Sequence, residues 1–202
     1  MRQVFLINGK KRAGKDYVAN ILRAQMEKRG YKVAIVSFAD PLKKVIAGTF
    51  GISLEELDEY KNNPQEYPIM VPAGEKTFRQ IDFRYILQMF GTEGAKPVFG
   101  NDIWANLARD FCEEQFQAGV DIIIIPDFRF KVEFLTFVET RFLEDDIEVK
   151  TIYISNINIP VNNDIHSSET ELDTFNFDIR MDNSIKNRPL HIIQQINEFI
   201  KL

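Results

Sequence analysis

Apolar positions along this chain follow two rhythms: short β-branched runs, and longer stretches where they recur every three to four residues. The short runs predict strands at 3–8, 32–37, 121–125, 148–154 and 175–181. The unbroken run Ile122 to Ile125 predicts a central parallel strand buried on both faces. Helical spacing follows the first run at Val18, Ile21, Leu22, Gln25 and Met26. Asp40-Pro41 reads as a capping residue followed by proline at the first helical position, opening a helix towards Gly48. Phe83, Ile86, Leu87 and Phe90 predict a helix ending near Gly91, and Ile103, Trp104, Leu107, Ala108, Phe111 and Cys112 one stopping near Gly119. Leu135, Val138 and Phe142 mark another long helix, and Ile193, Ile196 and Ile200 a last one. Strands alternating with helices predict an α/β fold with a mainly parallel sheet.

Two stretches break the rhythm. Residues 58–77 hold Pro64, Pro68, Pro72 and Gly74 and are expected to form an irregular insertion. Residues 155–174 are polar, contain Pro160 and several asparagines, and are expected to form a lid-like loop. No internal repeat appears, so residues 1–202 are expected to form one domain.

Composition narrows the function classes. A hydrophobic fraction of 45% argues against disorder. A formal charge of −5 and a pI near 5.2 disfavour a nucleic-acid partner. The single Cys112 excludes an intramolecular disulfide and a cysteine-based zinc cluster. No signal-peptide pattern precedes the first strand, and no apolar run reaches the ~20 residues needed to span a bilayer. A soluble cytoplasmic protein is therefore expected. The sequence leaves the oligomeric state open, a homodimer included.

The strongest chemical signal lies between the first strand and the first helix. Gly9-Lys10-Lys11-Arg12-Ala13-Gly14-Lys15-Asp16 nearly spells a phosphate-binding loop. Glycines let backbone approach phosphates, a helix N-terminus offers N–H donors, and Lys15 adds positive charge. Asp16 stands where the motif has Ser or Thr. A carboxylate there would bind magnesium directly, hold a coordinated water, or act on the acceptor. Tyr17 completes the expected loop.

Other candidates flank later elements. Ile124-Ile125-Pro126-Asp127 ends an apolar strand in a carboxylate, which is either a magnesium-binding acid or a helix cap. Arg129 is placed to bind a phosphate bidentately. Phe38-Ala39-Asp40-Pro41-Leu42-Lys43 follows the second strand, where ligands collect in open α/β sheets. Phe38 offers a flat surface for a base and Lys43 a phosphate contact; the plainer alternative is a buried aromatic and a surface lysine. Arg84, Gln88 and Gly91 fall within two helical turns, with Arg84 suited to a phosphate and Gln88 to a base edge. Trp104 is either core or a stacking platform. His166-Ser167-Ser168-Glu169 lies in the polar loop, without a nucleophile-elbow sequence to suggest a catalytic serine.

In order, GKKRAGKD, FADPLK, R-x-x-LQ-x-FGTE, DIW, IPDFRF-x-x-E, H-x-SE and D-x-x-x-x-N resemble the deoxynucleoside monophosphate kinases of bacteriophages over nearly the whole chain. The aspartate after the loop lysine is itself similar to that family's pattern. Tyr17, Lys96, Lys131 and Val132 depart from it. The resemblance implies a three-layer P-loop fold with a five-stranded sheet. It also implies phosphoryl transfer from ATP, with Mg2+, to a deoxynucleoside monophosphate in the cytoplasm, the host's if the chain is phage-encoded. Lys15 and the backbone of Gly9 to Gly14 would hold the donor phosphates, with Arg12 on the donor side. Asp16 would organise magnesium or the acceptor, with Asp127 the second metal candidate. Phe38, Lys43, Arg84, Gln88, Gly91, Thr92, Trp104, Asp127 and Arg129 would form the monophosphate site.

Two rival readings stand beside it. One is a P-loop kinase for a non-nucleotide phosphate such as phosphomevalonate, whose site would favour cations over base-reading groups. The other is a non-catalytic nucleotide-binding protein, disfavoured by the absence of a guanine-reading N-K-x-D sequence.

Overall fold

The computed structural model describes residues 2–138, 147–159, 170–185 and 189–200. The elements run β1 (Arg2–Asn8), α1 (Lys15–Glu27), β2 (Val33–Ile35), α2 (Asp40–Phe50), α3 (Leu54–Asn62), β3 (Ile69–Pro72) and β4 (Phe78–Ile81). They continue through α4 (Phe83–Gln88), a π-helical stretch (Met89–Ala95), α5 (Lys96–Phe99), α6 (Ile103–Gln117), β5 (Ile122–Ile125), α7 (Lys131–Val138), β6 (Ile147–Ser155), β7 (Ile179–Asp182) and α8 (Pro189–Ile200). Two compact units result: residues 1–38 with 105–202, and residues 39–104.

The first unit is a three-layer α/β domain, one sheet with helices on both faces. Its five strands are all parallel, in the order β2-β5-β1-β6-β7. Alternation along the central strands sorts their side chains onto two faces. Val4, Leu6, Ile123 and Ile125 enter one core with Ala105, Ala108, Cys112 and Phe116 of α6 and Phe137 of α7. Phe5, Ile7, Ile122 and Ile124 enter the other, with Val18, Leu22 and Met26 of α1 and Ile192, Ile196 and Phe199 of α8. The four isoleucines of β5 are completely buried or nearly so, as a strand covered on both faces requires. Burial pushes the Cys112 thiol up to about 12, so it is core filler.

The second unit has its own small core of Ile46, Ala47, Leu57 and Phe83. Its first helix starts one residue away from the expected cap. Ala39 occupies the capping position, with no side chain to cap with, and Asp40 is the first helical residue. Gly48 lies inside α2, exposed, with open space where a Cβ would go. Gly48→Ala is therefore expected to stabilise by about 0.5–1 kcal/mol, since glycine loses more backbone freedom in a helix. Thermal unfolding would check it. A lower melting temperature would show that α2 tolerates no side chain there.

Three sequence expectations change. The stretch 58–77 is not irregular throughout. A capping box joins Ser53 and Glu56, with Ser53 N donating to Glu56 Oε2 at 2.7 Å, and starts α3, which runs into the stretch. Beyond it β3 pairs antiparallel with β4, Ile69 opposite Ile81 and Pro72 opposite Phe78. The prolines are accommodated because Pro64 and Pro68 precede β3 and Pro72 is its last residue. The helix expected to stop near Gly91 instead widens into the π-helical stretch and ends at Gly100, whose φ is 101°. Gly91 serves close packing, not termination: a Cβ there would lie 2.7 Å from Leu42 Cδ2. The last strand begins at Ile179, later than 175, because the Asp178 carboxylate takes the Thr151 N–H at 2.6 Å. Of the loop at 155–174, residues 160–169 lie outside the described residues, and His166 to Glu169 with them.

Candidate active site

The carboxyl ends of β1, β2 and β5 carry the candidate site of the first unit, the edge where open parallel sheets collect ligands. Buried Gly9 leaves β1, and the Ala13 N–H donates to the Lys10 carbonyl at 3.0 Å to close a turn. Arg12 (φ 69°) and Gly14 (φ 90°) both adopt the left-handed conformation. Gly14 caps α1, so the helix N-terminus opens directly onto the loop. Lys15, the first helical residue, folds back and its Nζ donates to the Gly9 carbonyl at 2.7 Å and the Lys10 carbonyl at 3.3 Å. The ammonium is thus held at the loop by the loop's own backbone.

The neighbouring residues differ in availability. Lys10 forms an ion pair with Asp173, which offsets part of its charge. Lys11, Arg12, Asp16 and Tyr17 are exposed, and Asp16 stands in the first turn of α1, where the helix dipole favours a carboxylate.

Asp127, after β5, is a structural hub. Its Oδ2 accepts from Ser37 Oγ at 2.5 Å and its Oδ1 from the Phe38 N–H at 2.9 Å. One carboxylate thereby ties the turn after β5 to the turn after β2. Asn8, at the end of β1, adds a third tie, its Nδ2 donating to the Phe128 carbonyl at 2.6 Å. Arg129 is half-buried, and its N–H donates to Glu133 Oε2 at 2.6 Å. The Phe130 N–H donates to the same oxygen at 3.0 Å, so Glu133 closes the N-terminus of α7 as half a capping box.

Phe38 corrects an expectation. It is 3% exposed, and its ring meets Phe137 edge-on with centroids 6.0 Å apart. The ring belongs to the core and presents no face to a base. The reason is its position on the inward side of the chain leaving β2, where Asp127 fixes its backbone.

In the second unit, Lys43 is half-buried and pairs with Asp58 at 3.2 Å. Lys61 bonds the same carboxylate. Burial alone would raise the Asp58 carboxyl, but the Lys61 hydrogen bond and the charges of Lys43 and Lys61 outweigh it and hold it below its usual value. Arg84 and Gln88 of α4 are exposed. Trp104 Nε1 donates to the Gly91 carbonyl at 2.9 Å, bracing the π-helical stretch that carries Gly91 and Thr92. Such stretches recur at functional sites.

The donor set suits a hard divalent cation. Magnesium is usually held by one or two carboxylates together with substrate phosphates, and Asp16 in the first turn of α1 and Asp127 after β5 are carboxylates of that kind. Among the described residues no cluster of three or more metal-ligating side chains exists.

Ser37 escaped the sequence reading, and Glu133 and Asn183 entered it only as the last residues of IPDFRF-x-x-E and D-x-x-x-x-N, with no role given. All three touch the loops through hydrogen bonds, and Glu133 stands three residues after a potential cap.

Residues 7–143 match a family model described as phosphomevalonate kinase. No curated protein matches. Among solved structures, a sugar kinase from Janibacter sp. aligns over 100% of this chain and 95% of its own, at 13% identity and a TM-score of 0.49. The APS kinase of Mycobacterium tuberculosis in complex with AMPPNP and APS aligns over 99% and 96%, at 8% identity and a TM-score of 0.45. Cobyrinic acid a,c-diamide synthase from Mycobacterium smegmatis, with an ATP analog and magnesium, aligns over 98% and 82%, at 12% identity and a TM-score of 0.43. No helix among the described residues is long and apolar enough to cross a membrane.

Proposed function

This chain belongs to the phosphomevalonate kinase family, and on that premise we propose that it transfers the γ-phosphoryl group of ATP to a small acceptor that already carries a phosphate. The observation that carries this reading is the loop at the end of β1, with Lys15 Nζ held among its carbonyls and α1 opening onto it. In the reaction an acceptor phosphate oxygen forms a bond to the γ-phosphorus as the bond to the β,γ-bridging oxygen breaks, and ADP leaves. Such chemistry rests on positioning and charge neutralisation. Lys15 would neutralise charge on the donor phosphates, and the N–H groups at the start of α1 would orient them. Asp16 and Asp127 would hold magnesium, which when bound neutralises phosphate charge. Arg12 and Arg129 are the further cations assigned to the phosphates.

For the acceptor we infer a deoxynucleoside monophosphate, supported by the ordered series of motifs that resembles the phage kinases. Arg84 and Lys43 are assigned to its phosphate, and Gln88 and Trp104 to its base. The second reading, phosphomevalonate or a similar non-nucleotide phosphate, is favoured by the family model itself and by the core position of Phe38, which removes one base-stacking surface. A coupled ADP-release assay with each dNMP, each NMP and phosphomevalonate separates the two. Turnover of a dNMP in preference to phosphomevalonate supports the first; the reverse preference sinks it. Arg84→Ala is expected to raise the acceptor KM about 10-fold or more, the worth of a charged hydrogen bond, with the ATP KM nearly unchanged.

A further inference from the structure

The chain segment after β7 reaches back to the phosphate loop. Asn183 Nδ2 donates to the Ala13 carbonyl at 2.9 Å, across 170 residues of sequence. A carbonyl only accepts, so the amide nitrogen and not the oxygen faces the loop. The contact is close: a Cβ on Gly14 would lie 2.2 Å from Asn183 Nδ2, so the carboxamide rests against the Gly14 α-carbon.

Asn183 is itself held on several sides. Its own N–H donates to the Ser155 carbonyl at 2.8 Å. The Asp182 N–H donates to Gln195 Oε1 at 2.9 Å, and Gln195 Nε2 returns a bond to the Asp182 carbonyl at 3.2 Å. The Asp182 carboxylate accepts from the Ser184 N–H at 2.9 Å and also from its hydroxyl. This segment is a fixed support built from β6, β7 and α8.

What it supports is a peptide with a choice of orientation. Ala13 lies between two residues in the left-handed conformation, Arg12 and Gly14, and glycine passes readily between backbone wells. Rotation of the Ala13–Gly14 peptide would exchange the directions of its carbonyl and its N–H. Because the peptide is planar and trans, fixing the Ala13 carbonyl on Asn183 fixes the Gly14 N–H in the opposite direction.

We propose that Asn183 is a positioning residue for phosphate binding: it locks the Ala13–Gly14 peptide so that the Gly14 N–H stays oriented as an anion donor at the start of α1. The inference rests on the ATP-dependent kinase reading. Without the tether, the loop must order itself on each binding event, and ATP affinity falls.

The test measures ATP binding by calorimetry for wild type, Asn183→Ala and Asn183→Asp, alongside melting temperature and 1H–15N spectra. Asn183→Asp keeps the size and shape but sets an oxygen against the Ala13 carbonyl. Loss of one hydrogen bond is expected to weaken ATP binding about 10-fold in each variant. The Gly14 amide resonance is expected to move or broaden while those of β5 hold. If both variants bind ATP as wild type does, the inference fails and the kinase reading stands. If spectral changes spread through both cores as affinity falls, Asn183 is only a structural residue, and the inference fails again. If wild type itself does not bind ATP, the kinase reading falls, and the inference with it.

Discussion

Lys15→Ala is expected to lower kcat on the order of 10²–10³-fold while the protein stays folded, because a charge aimed at a transferring phosphoryl group is usually among the largest catalytic contributions. The fold should tolerate the change. Lys15 is partly exposed, its ammonium bonds to the Gly9 and Lys10 carbonyls of the loop, and α1 is held by Val18, Ala19, Leu22 and Met26, all buried. Alanine also has the higher helix propensity. Circular dichroism and steady-state kinetics on the purified variant make the measurement. Near-normal turnover in a folded variant would remove the loop from the active centre.

Gly9→Ala is expected to damage both stability and activity. A Cβ at Gly9 would lie 2.6 Å from the Ile154 carbonyl oxygen. That oxygen belongs to the backbone of β6, which pairs with β1 from Arg2–Ile147 through Asn8–Tyr153 and cannot swing aside as a side chain would. Overpacking of this kind typically costs about 1–3 kcal/mol. For a chain of this size that is roughly 2–12 °C in melting temperature. The loop would also shift off the sheet edge, moving the carbonyls that hold Lys15, so kcat/KM should fall more than stability alone accounts for. Scanning calorimetry and kinetics run on the same preparation separate the two effects. An unchanged melting temperature would mean that β1 and β6 can part at this point, against the packing described. Gly48→Ala, with open space around its Cβ, is the matching control.

The elements that the sequence determined are those whose information is local. Strand β1, the loop and α1 are legible from an apolar run, two glycines, a lysine and a 3.6-residue period, all within the first 27 residues. The double-sided burial of β5 is written in four consecutive isoleucines. The α/β class and its parallel sheet follow from alternation alone. What only the tertiary structure decided depends on partners far away in the chain. The β3–β4 hairpin exists because Ile69 to Pro72 meets Phe78 to Ile81, and proline content by itself masked it. Whether Phe38 faces solvent or core was undecidable from its neighbours; the Asp127 carboxylate, 89 residues on, sets its backbone and α7 covers its ring. Lys43 reads as a free cation until Asp58 is placed beside it. Asn183 stands in the sequence only as the last residue of D-x-x-x-x-N, with no role attached, because its role exists only where the order β1-β6-β7 and the segment after β7 bring its amide to Ala13. Side-chain periodicity encodes which face is buried, whereas a hydrogen bond between loops is specified by strand order and register, which no single segment contains.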